Sequence, residues 1–149
     1  MRSIKAIVGD RQTITVDALS TVGHAARLMA AHQIGAVPVL DGERLAGIFT
    51  ERDVLTRVVA AGRDAERTAV REVMSAELVI AEVGESYDVC LTRMQRANIR
   101  HLIVLESGRL AGLVSLRDLL RVDLDEKDEA ITMLNAYVHY IPVDQQVRT

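Results

Sequence analysis

The sequence predicts a mixed α/β (α+β) fold of two β-α-β-β-α repeats packed around a pseudo-twofold axis, followed by a C-terminal helix. The main support is an internal duplication, because residues 34–55 and 99–120 align at a constant offset of 65 with ten identities in 22 positions. Unrelated segments of ordinary composition would share about one or two. Each copy also contains two apolar runs joined by a turn and followed by a helical pattern. Because stacked repeats usually need about three or more units, two copies favour a closed pair.

Each repeat is predicted to begin with a short strand and an amphipathic helix. Alternation and β-branched residues predict a strand at residues 13–16, with its counterpart at residues 78–83. Ser20 or Thr21 then precedes apolar residues at helical spacing, which predicts a capped helix. The apolar stripe consists of Val22, Ala25, Ala26 and Met29 in the first copy and of Tyr87, Cys90, Leu91 and Met94 in the second.

A hairpin and a second helix complete each repeat. Residues 36–40 and 45–49 are apolar runs joined by a turn that contains Asp-Gly, and residues 102–105 and 110–114 repeat the pattern. The second helices are predicted at residues 51–61 and 116–124. The residues expected on the buried side of the first of these helices are Val54, Leu55, Val58 and Val59.

Four segments are predicted along the chain. They are a first repeat at residues 1–62, a polar linker at 63–72, a second repeat at 73–124, and a C-terminal helix and tail at 125–149. The last helix begins in an acidic stretch, which suits the positive end of a helix dipole. Its apolar stripe comprises Ala130, Ile131, Leu134, Tyr137 and Val138. One helix cannot bury such a stripe alone, so it covers either the domain or a partner subunit.

Composition and charge exclude several functional classes. The net charge of −3 argues against nucleic-acid binding, which needs a basic surface. No apolar run is long enough for a signal peptide or a membrane span, so a cytoplasmic protein with no membrane association is expected. The single cysteine, Cys90, lies on a helix stripe and is interpreted as a core thiol. His24, His32 and His139 lack ligand spacing, so no metal site is expected.

The sequence shows no catalytic set. It contains neither a Gly-rich phosphate loop nor a serine nucleophile with an evident histidine and acid in support. We therefore expect that the chain is not an enzyme and has no catalytic cofactor.

Two motifs at the starts of the second helices are candidate binding elements, residues 50–53 (TERD) and 115–118 (SLRD). Ser or Thr followed by an acid at this spacing is also a capping box, in which the cap is worth about 1 kcal/mol. Alternatively, a helix N-terminus after a strand can bind a phosphate, while the carboxylate accepts hydrogen bonds from ribose hydroxyls. The turn entering the hairpin is small and apolar at residues 35–38 and basic at residues 100–102. The spacing alone leaves both interpretations open.

These motifs resemble those of the cystathionine-β-synthase (CBS) domain family, in the form of a stand-alone tandem pair, also called a Bateman module. The similar segments are residues 34–39 (IGAVPV), 45–55 (LAGIFTERDVL), 99–120 and the lead-in at 73–75 (VMS). The resemblance covers about residues 4–124. It implies a fold of two β-α-β-β-α units that binds adenosine ligands, AMP first, with ATP, ADP, NAD or S-adenosylmethionine as alternatives.

The resemblance also implies roles for individual residues. The residues implied to hold ribose hydroxyls are Asp53 and Asp118. Those implied to lie near phosphate are Thr50, Arg52, Ser115 and Arg117. Those implied to form a wall for the adenine are Ile34, Ala36, Pro38 and Ile99. Two further residues, Ile14 and Val79, would close this wall from the first strand of the opposite repeat.

Arg100 and His101 occupy positions where some nucleotide-sensing members of the family have basic phosphate ligands. The first repeat has Gly35 and Ala36 there, so the two sites are expected to differ. The site beside Asp118, Arg100 and His101 is expected to prefer a more phosphorylated or more tightly bound nucleotide. A packed histidine is the alternative interpretation of His101.

The expected function is a regulatory module that binds an adenine nucleotide between its repeats and signals to an unidentified protein in trans. The resemblance also implies a homodimer. A second interpretation is a structural dimerisation or adaptor domain that binds no ligand, since every cap and core position would be kept. A third, an enzyme acting on a nucleotide or oxidised cofactor, predicts turnover of ATP or NAD.

Overall fold

The structure, a computed structural model, describes residues 2–139 and contains two similar halves. The elements of the first half are α1 (Ile4–Val8), β1 (Val16–Asp17), α2 (Val22–His32), β2 (Ala36–Asp41), β3 (Arg44–Thr50), α3 (Glu51–Asp53) and a π-helical segment (Val54–Val59). Those of the second half are α4 (Val70–Val73), β4 (Ile80–Glu82), α5 (Tyr87–Ala97), β5 (His101–Glu106), β6 (Arg109–Ser115) and α6 (Leu116–His139). The predicted β-α-β-β-α order is confirmed in both repeats. The side chains of Tyr137, Val138 and His139 and the tail at residues 140–149 lie outside the described residues.

Each half contains a three-stranded sheet. In the first, β1 pairs in parallel with β2, and β2 pairs antiparallel with β3, so that Val16 and Gly47 both lie beside Val39. The second sheet has the same order and directions, with Ile80 opposite Ile103 and Val104 opposite Gly112. The predicted hairpins are therefore present in both repeats.

The first strands are shorter than predicted. The strand expected at residues 13–16 pairs only at Val16 and Asp17, and the one expected at 78–83 pairs only at Ile80–Glu82. The physical reason in the first repeat is that the preceding residues contact the other half. The Thr13 hydroxyl donates a hydrogen bond to the carbonyl of Ala111 in β6, at 3.4 Å. These segments are therefore available to line a boundary between the repeats.

The first helix of each repeat covers its sheet. Thr21 caps α2, because its side chain accepts a hydrogen bond from the backbone N–H of His24 at 3.1 Å. The residues of α2 buried in the first core are Val22, Ala25 and Met29, and those of α5 buried in the second are Tyr87, Cys90 and Met94. Burial raises the pKa of the Cys90 thiol to about 11, so this cysteine is a neutral core residue at pH 7.

The two repeats exchange their lead-in helices. Helix α4 precedes the second repeat, yet Val70 and Val73 are buried in the first core, while Ile4 and Val8 of α1 are buried in the second. The backbone hydrogen bonds are equivalent on both sides: Val70 N–H donates to the Ser20 carbonyl at 2.8 Å, and Ile4 N–H donates to the Glu85 carbonyl at 2.9 Å. Each core is thus completed by a segment that belongs to the other repeat.

The second helix of the first repeat differs from the prediction. It begins as α3 and continues as a π-helical segment, in which Ala60 N–H donates to the Leu55 carbonyl at 2.9 Å. Because this winding bonds residues five apart, an apolar spacing of three and four no longer follows one face. Val58 is buried, but Leu55 and Val59 are 62% and 67% exposed. The prediction that these two residues face the core is wrong.

The predicted second helix of the second repeat and the C-terminal helix are one continuous element, α6. The acidic stretch does not start a new helix, because its residues form good helical pairs and no Gly or Pro interrupts them. Lys127 Nζ lies 2.8 Å from Asp123, and Arg2 Nη2 lies 3.0 Å from Glu129. Leu119 and Val122 cover the second core, whereas Leu124 is exposed. Among residues 2–139, no helix combines the length and apolarity needed to cross a membrane.

Two equivalent glycines admit the exchanged segments. A Cβ on Gly47 would lie 2.7 Å from both the Met74 sulfur and the Ser75 carbonyl oxygen, and one on Gly112 would lie 2.7 Å from a Val8 methyl. Gly47→Ala should therefore lower the free energy of unfolding in urea by about 1–3 kcal/mol. Gly84→Ala is the matched control, since nothing lies within 4 Å of its added methyl, and its change should stay within about 0.5 kcal/mol. Equal stability of the two variants would contradict the close approach.

Candidate functional site

Two clefts that contain the aspartates of the predicted motifs lie where the repeats meet. The Asp118 cleft has a volume of about 790 Å³ and the Asp53 cleft about 850 Å³. The sequence-predicted residues in the Asp118 cleft are Ile14, Ile34, Gly35, Ala36, Ser115, Arg117 and Asp118. Those in the Asp53 cleft are Thr50, Arg52, Asp53, Val79, Ile99 and Arg100. His101 lines both clefts, and Pro38 is buried in β2 and lines neither.

Each cleft combines an apolar wall from one repeat with a helix start from the other. In the Asp118 cleft the wall comes from the first repeat and the helix start is that of α6. The expectation that Ile14 and Val79 close each wall from the opposite repeat is wrong, because Ile14 lies with Ile34 and Val79 lies with Ile99, each in the cleft of its own repeat. The lead-in exchange explains the position of Ile14, because it carries the segment before β1 to the boundary.

Arg100 lines the Asp53 cleft and also a neighbouring cavity of about 760 Å³, which it shares with Ser115 and Arg117. Its expected place in the site beside Asp118 stays a prediction.

Both motifs form capping boxes. The Asp53 Oδ2 accepts a hydrogen bond from Thr50 N–H at 3.0 Å, and the Thr50 hydroxyl oxygen accepts one from Asp53 N–H at 3.3 Å. In the second repeat, Asp118 Oδ2 accepts from Ser115 N–H at 2.9 Å, and Ser115 Oγ accepts from Asp118 N–H at 3.0 Å. A box uses only one oxygen of each carboxylate. Capping and ligand binding are therefore compatible, because Oδ1 stays outside the box.

The two Oδ1 atoms have different surroundings. Asp53 Oδ1 accepts a hydrogen bond from the Ser75 hydroxyl at 3.3 Å and lies 3.7 Å from Arg57 Nε, and its side chain is 7% exposed. Asp118 Oδ1 accepts from Arg11 Nη1 at 3.3 Å, and its side chain is 25% exposed. The Asp118 carboxylate is the more accessible of the two.

Glu51 and His101 line both clefts and lie between them. Glu51 N–H donates to the Gly35 carbonyl at 3.0 Å, and a Cβ on Gly35 would lie 3.0 Å from the Glu51 carboxylate. Gly35 therefore lets this carboxylate approach the backbone. Burial lowers the pKa of His101, and the Arg100 charge adds to this, although Glu51 and Asp118 act in the opposite direction. His101 is accordingly a neutral imidazole at pH 7.

Arginines give both clefts an anion-binding character. The Asp118 cleft is lined by Arg11, Arg117 and Arg121, and the Asp53 cleft by Arg52, Arg57 and Arg100. Guanidinium groups bind phosphate through paired N–H donors. Within residues 2–139, no group of three or more His, Cys, Asp or Glu side chains could hold a metal ion.

Several charged and polar residues of the clefts were not predicted from the sequence, among them Arg11, Glu51, Arg57 and Ser75. Comparison of the repeats hides the first three, because the 65-residue offset pairs Arg11 with Ala76, Glu51 with Leu116 and Arg57 with Val122. Ser75 belongs to the segment that resembles the family's lead-in to its second repeat. Its contact with Asp53 follows from the exchange of lead-in helices, which the local sequence does not indicate.

Comparison with known proteins identifies close similarities. The family model described as the CBS domain matches the chain twice, at residues 4–60 and 70–125. The CBS domain-containing protein YhcV of Bacillus subtilis is 40% identical over 108 residues, which is 72% of this chain and 76% of that protein. A solved CBS-domain protein from Burkholderia ambifaria is 36% identical with a TM-score of 0.80, over 83% of this chain and 95% of that one.

A more distant solved structure is that of a complex with a ligand. It is a CBS domain protein of Pyrobaculum aerophilum complexed with AMP, 24% identical with a TM-score of 0.71, over 79% of this chain and 89% of that one. At this identity the likeness establishes the fold alone.

The neutral state of His101 predicts a pH dependence of stability. Its pKa in the folded protein lies below the unfolded value of about 6.5, so the unfolded chain binds the proton more readily. Stability should therefore fall as the pH drops below about 6.5. Urea unfolding at pH 7 and pH 5.5 should show a smaller loss for His101→Gln than for the wild type. Identical losses would contradict a buried neutral imidazole.

Proposed function

Because the chain belongs to the CBS domain family and contains two copies of the domain in tandem, we propose that it is a non-catalytic regulatory module for adenosine nucleotides. AMP is the first candidate ligand, and ATP, ADP, NAD and S-adenosylmethionine are the alternatives. The ligand binds between the repeats and changes the contact with a partner protein. The observation that carries the proposal is the position of the partly exposed Asp118 carboxylate in a cleft whose apolar wall comes from the other repeat.

The apolar wall suits a flat base. Ile14, Ile34 and Ala36 lie together on one side of the Asp118 cleft. Apolar side chains with a few converging polar groups are typical of small-molecule sites. Adenine fits such a surface, since its two faces are apolar and its hydrogen-bonding groups lie at the edge.

The Asp118 carboxylate suits a ribose. Its Oδ2 is fixed by the capping box, which orients the side chain, and its Oδ1 lies outside the box. A carboxylate oxygen accepts hydrogen bonds from vicinal hydroxyls, and bonds to a charged acceptor are stronger than neutral ones. The capping box is thus also a positioning device for the sugar.

The start of α6 suits a phosphate. Ser115 precedes a helix of 24 residues, whose N-terminus carries the positive end of the helix dipole. Arg117 and Arg121 line the same cleft. The apolar wall, the Asp118 carboxylate and the start of α6 therefore suit the base, the sugar and the phosphate of one nucleotide. The AMP complex of the P. aerophilum protein, which has the same fold, supports this choice of ligand.

We expect the Asp118 cleft to be the principal site. Asp53 is more deeply buried, and its Oδ1 already accepts a hydrogen bond from Ser75. Opening that carboxylate to a ligand would cost a buried hydrogen bond. A ligand in the Asp118 cleft touches both repeats, so it shifts their relative position by favouring one of two existing arrangements.

Asp118→Asn should weaken AMP binding about ten- to hundredfold, the cost of a lost hydrogen bond to a charged group. Isothermal titration calorimetry with AMP, and with GMP as the base control, measures this. Asp41→Asn is the matched control, because it makes the same chemical change on an exposed hairpin residue that lines neither cleft. Wild-type affinity in Asp118→Asn would overturn the site. Wild-type protein that binds none of the five candidate ligands would favour the ligand-free adaptor instead.

The exposed face of α6 supports a homodimer. Leu120, Leu124, Ile131 and Leu134 are exposed, and their spacing places them on one side of the helix. Light scattering should give twice the chain mass of 16.4 kDa. Leu124→Lys should reduce the measured mass, whereas Met133→Lys, on the opposite side of the same helix, should leave it unchanged. A monomeric wild-type protein would contradict the dimer.

A further inference from the structure

Arg11 lines the Asp118 cleft from the segment between α1 and β1. Its Nη1 donates to Asp118 Oδ1 at 3.3 Å, its Nη2 to the Leu113 carbonyl at 3.5 Å, and its Nε to the Val8 carbonyl at 3.4 Å. The side chain is 48% exposed. The guanidinium is therefore held over the one carboxylate oxygen that the capping box leaves available.

The fold does not require this arginine. At the equivalent position of the second repeat the sequence has Ala76, which lines the Asp53 cleft without a charge. The N-terminal segment is held on the second repeat independently, through the buried side chains of Ile4 and Val8 and the backbone hydrogen bond from Ile4 to Glu85. Arg11 thus distinguishes the Asp118 cleft from its partner.

The contact has a consequence for ligands. Ribose hydroxyls that bind Asp118 Oδ1 compete with the Arg11 guanidinium for the same oxygen. A nucleoside offers the displaced arginine no new anion. A nucleotide does, since its 5′-phosphate follows directly after the ribose, and guanidinium groups bind phosphate strongly.

We propose that Arg11 is a specificity-determining residue, which exchanges Asp118 for the ligand's 5′-phosphate and so makes the cleft select nucleotides over nucleosides. This inference rests on the proposed function, because it requires an adenosine ligand in the Asp118 cleft. Neither the motifs nor the repeat comparison indicates Arg11, and the group that it selects is the 5′-phosphate.

The test is calorimetric titration of the wild type and Arg11→Gln with AMP and with adenosine. The variant should bind AMP roughly tenfold more weakly, since it loses a charged contact to phosphate. Its affinity for adenosine should equal that of the wild type or be up to about fivefold higher, since the competing ion pair is gone. The AMP-to-adenosine affinity ratio should therefore fall at least about tenfold.

Two further variants separate specificity from structure. Lys5→Gln is the matched control, because Lys5 belongs to the same N-terminal segment and pairs with Glu106 of the second repeat at 3.1 Å, outside both clefts. It should leave the ratio unchanged. Arg11→Lys keeps the charge without the paired donors and should restore part of the ratio.

The outcomes separate the role of Arg11 from the proposed function. A ratio in Arg11→Gln equal to that of the wild type, including an equal loss of AMP and adenosine binding, would overturn the inference while the proposed function stands. A wild-type protein that binds neither adenosine nor any of the five candidate ligands would overturn the proposed function and this inference with it.

Discussion

The structure depends above all on the exchange of lead-in helices between the repeats. Val70 and Val73 complete the core of the first repeat, and Ile4 and Val8 complete that of the second. Neither core is closed without a segment from the other repeat, so the two halves are expected to fold as one cooperative unit. The same exchange positions the clefts, because it brings the segment that holds Arg11 and Ile14 against β6 of the second repeat.

Capping and binding use the same residues for a physical reason. A helix that follows a strand directly needs a side chain to accept its free N–H groups, and a Ser or Thr with an acid three residues later meets this need. The acid is then fixed by one oxygen and can present the other to a cleft. The two carboxylates differ in what lies against that second oxygen: Arg11 donates to Asp118 Oδ1 at a partly exposed position, whereas Ser75 donates to Asp53 Oδ1 at a buried one. One local motif therefore gives two sites of different accessibility.

The sequence predicts what local patterns control. The duplicated segments, the hairpins, the cap at Thr21 and the helix stripes are all recognised from short-range spacing, and the structure contains them. The exchange of lead-in helices and the position of Ile14 depend on contacts between residues far apart in the chain, for which one sequence carries no signal. The helix break expected after residue 124, inside α6, was wrong for another reason, since acidic residues favour a helix start but also suit a helix interior with basic partners.

The most direct test of the account is the melting temperature with AMP and with GMP. Ligand at a hundred times its dissociation constant adds about 2.7 kcal/mol to stability. For a domain of this size that corresponds to a rise of roughly 5–20 °C. The account predicts this rise with AMP, in a single transition, and no comparable rise with GMP. No rise with AMP or with any of the four alternative adenosine ligands, or equal rises with AMP and GMP, would contradict an adenosine site built between the repeats.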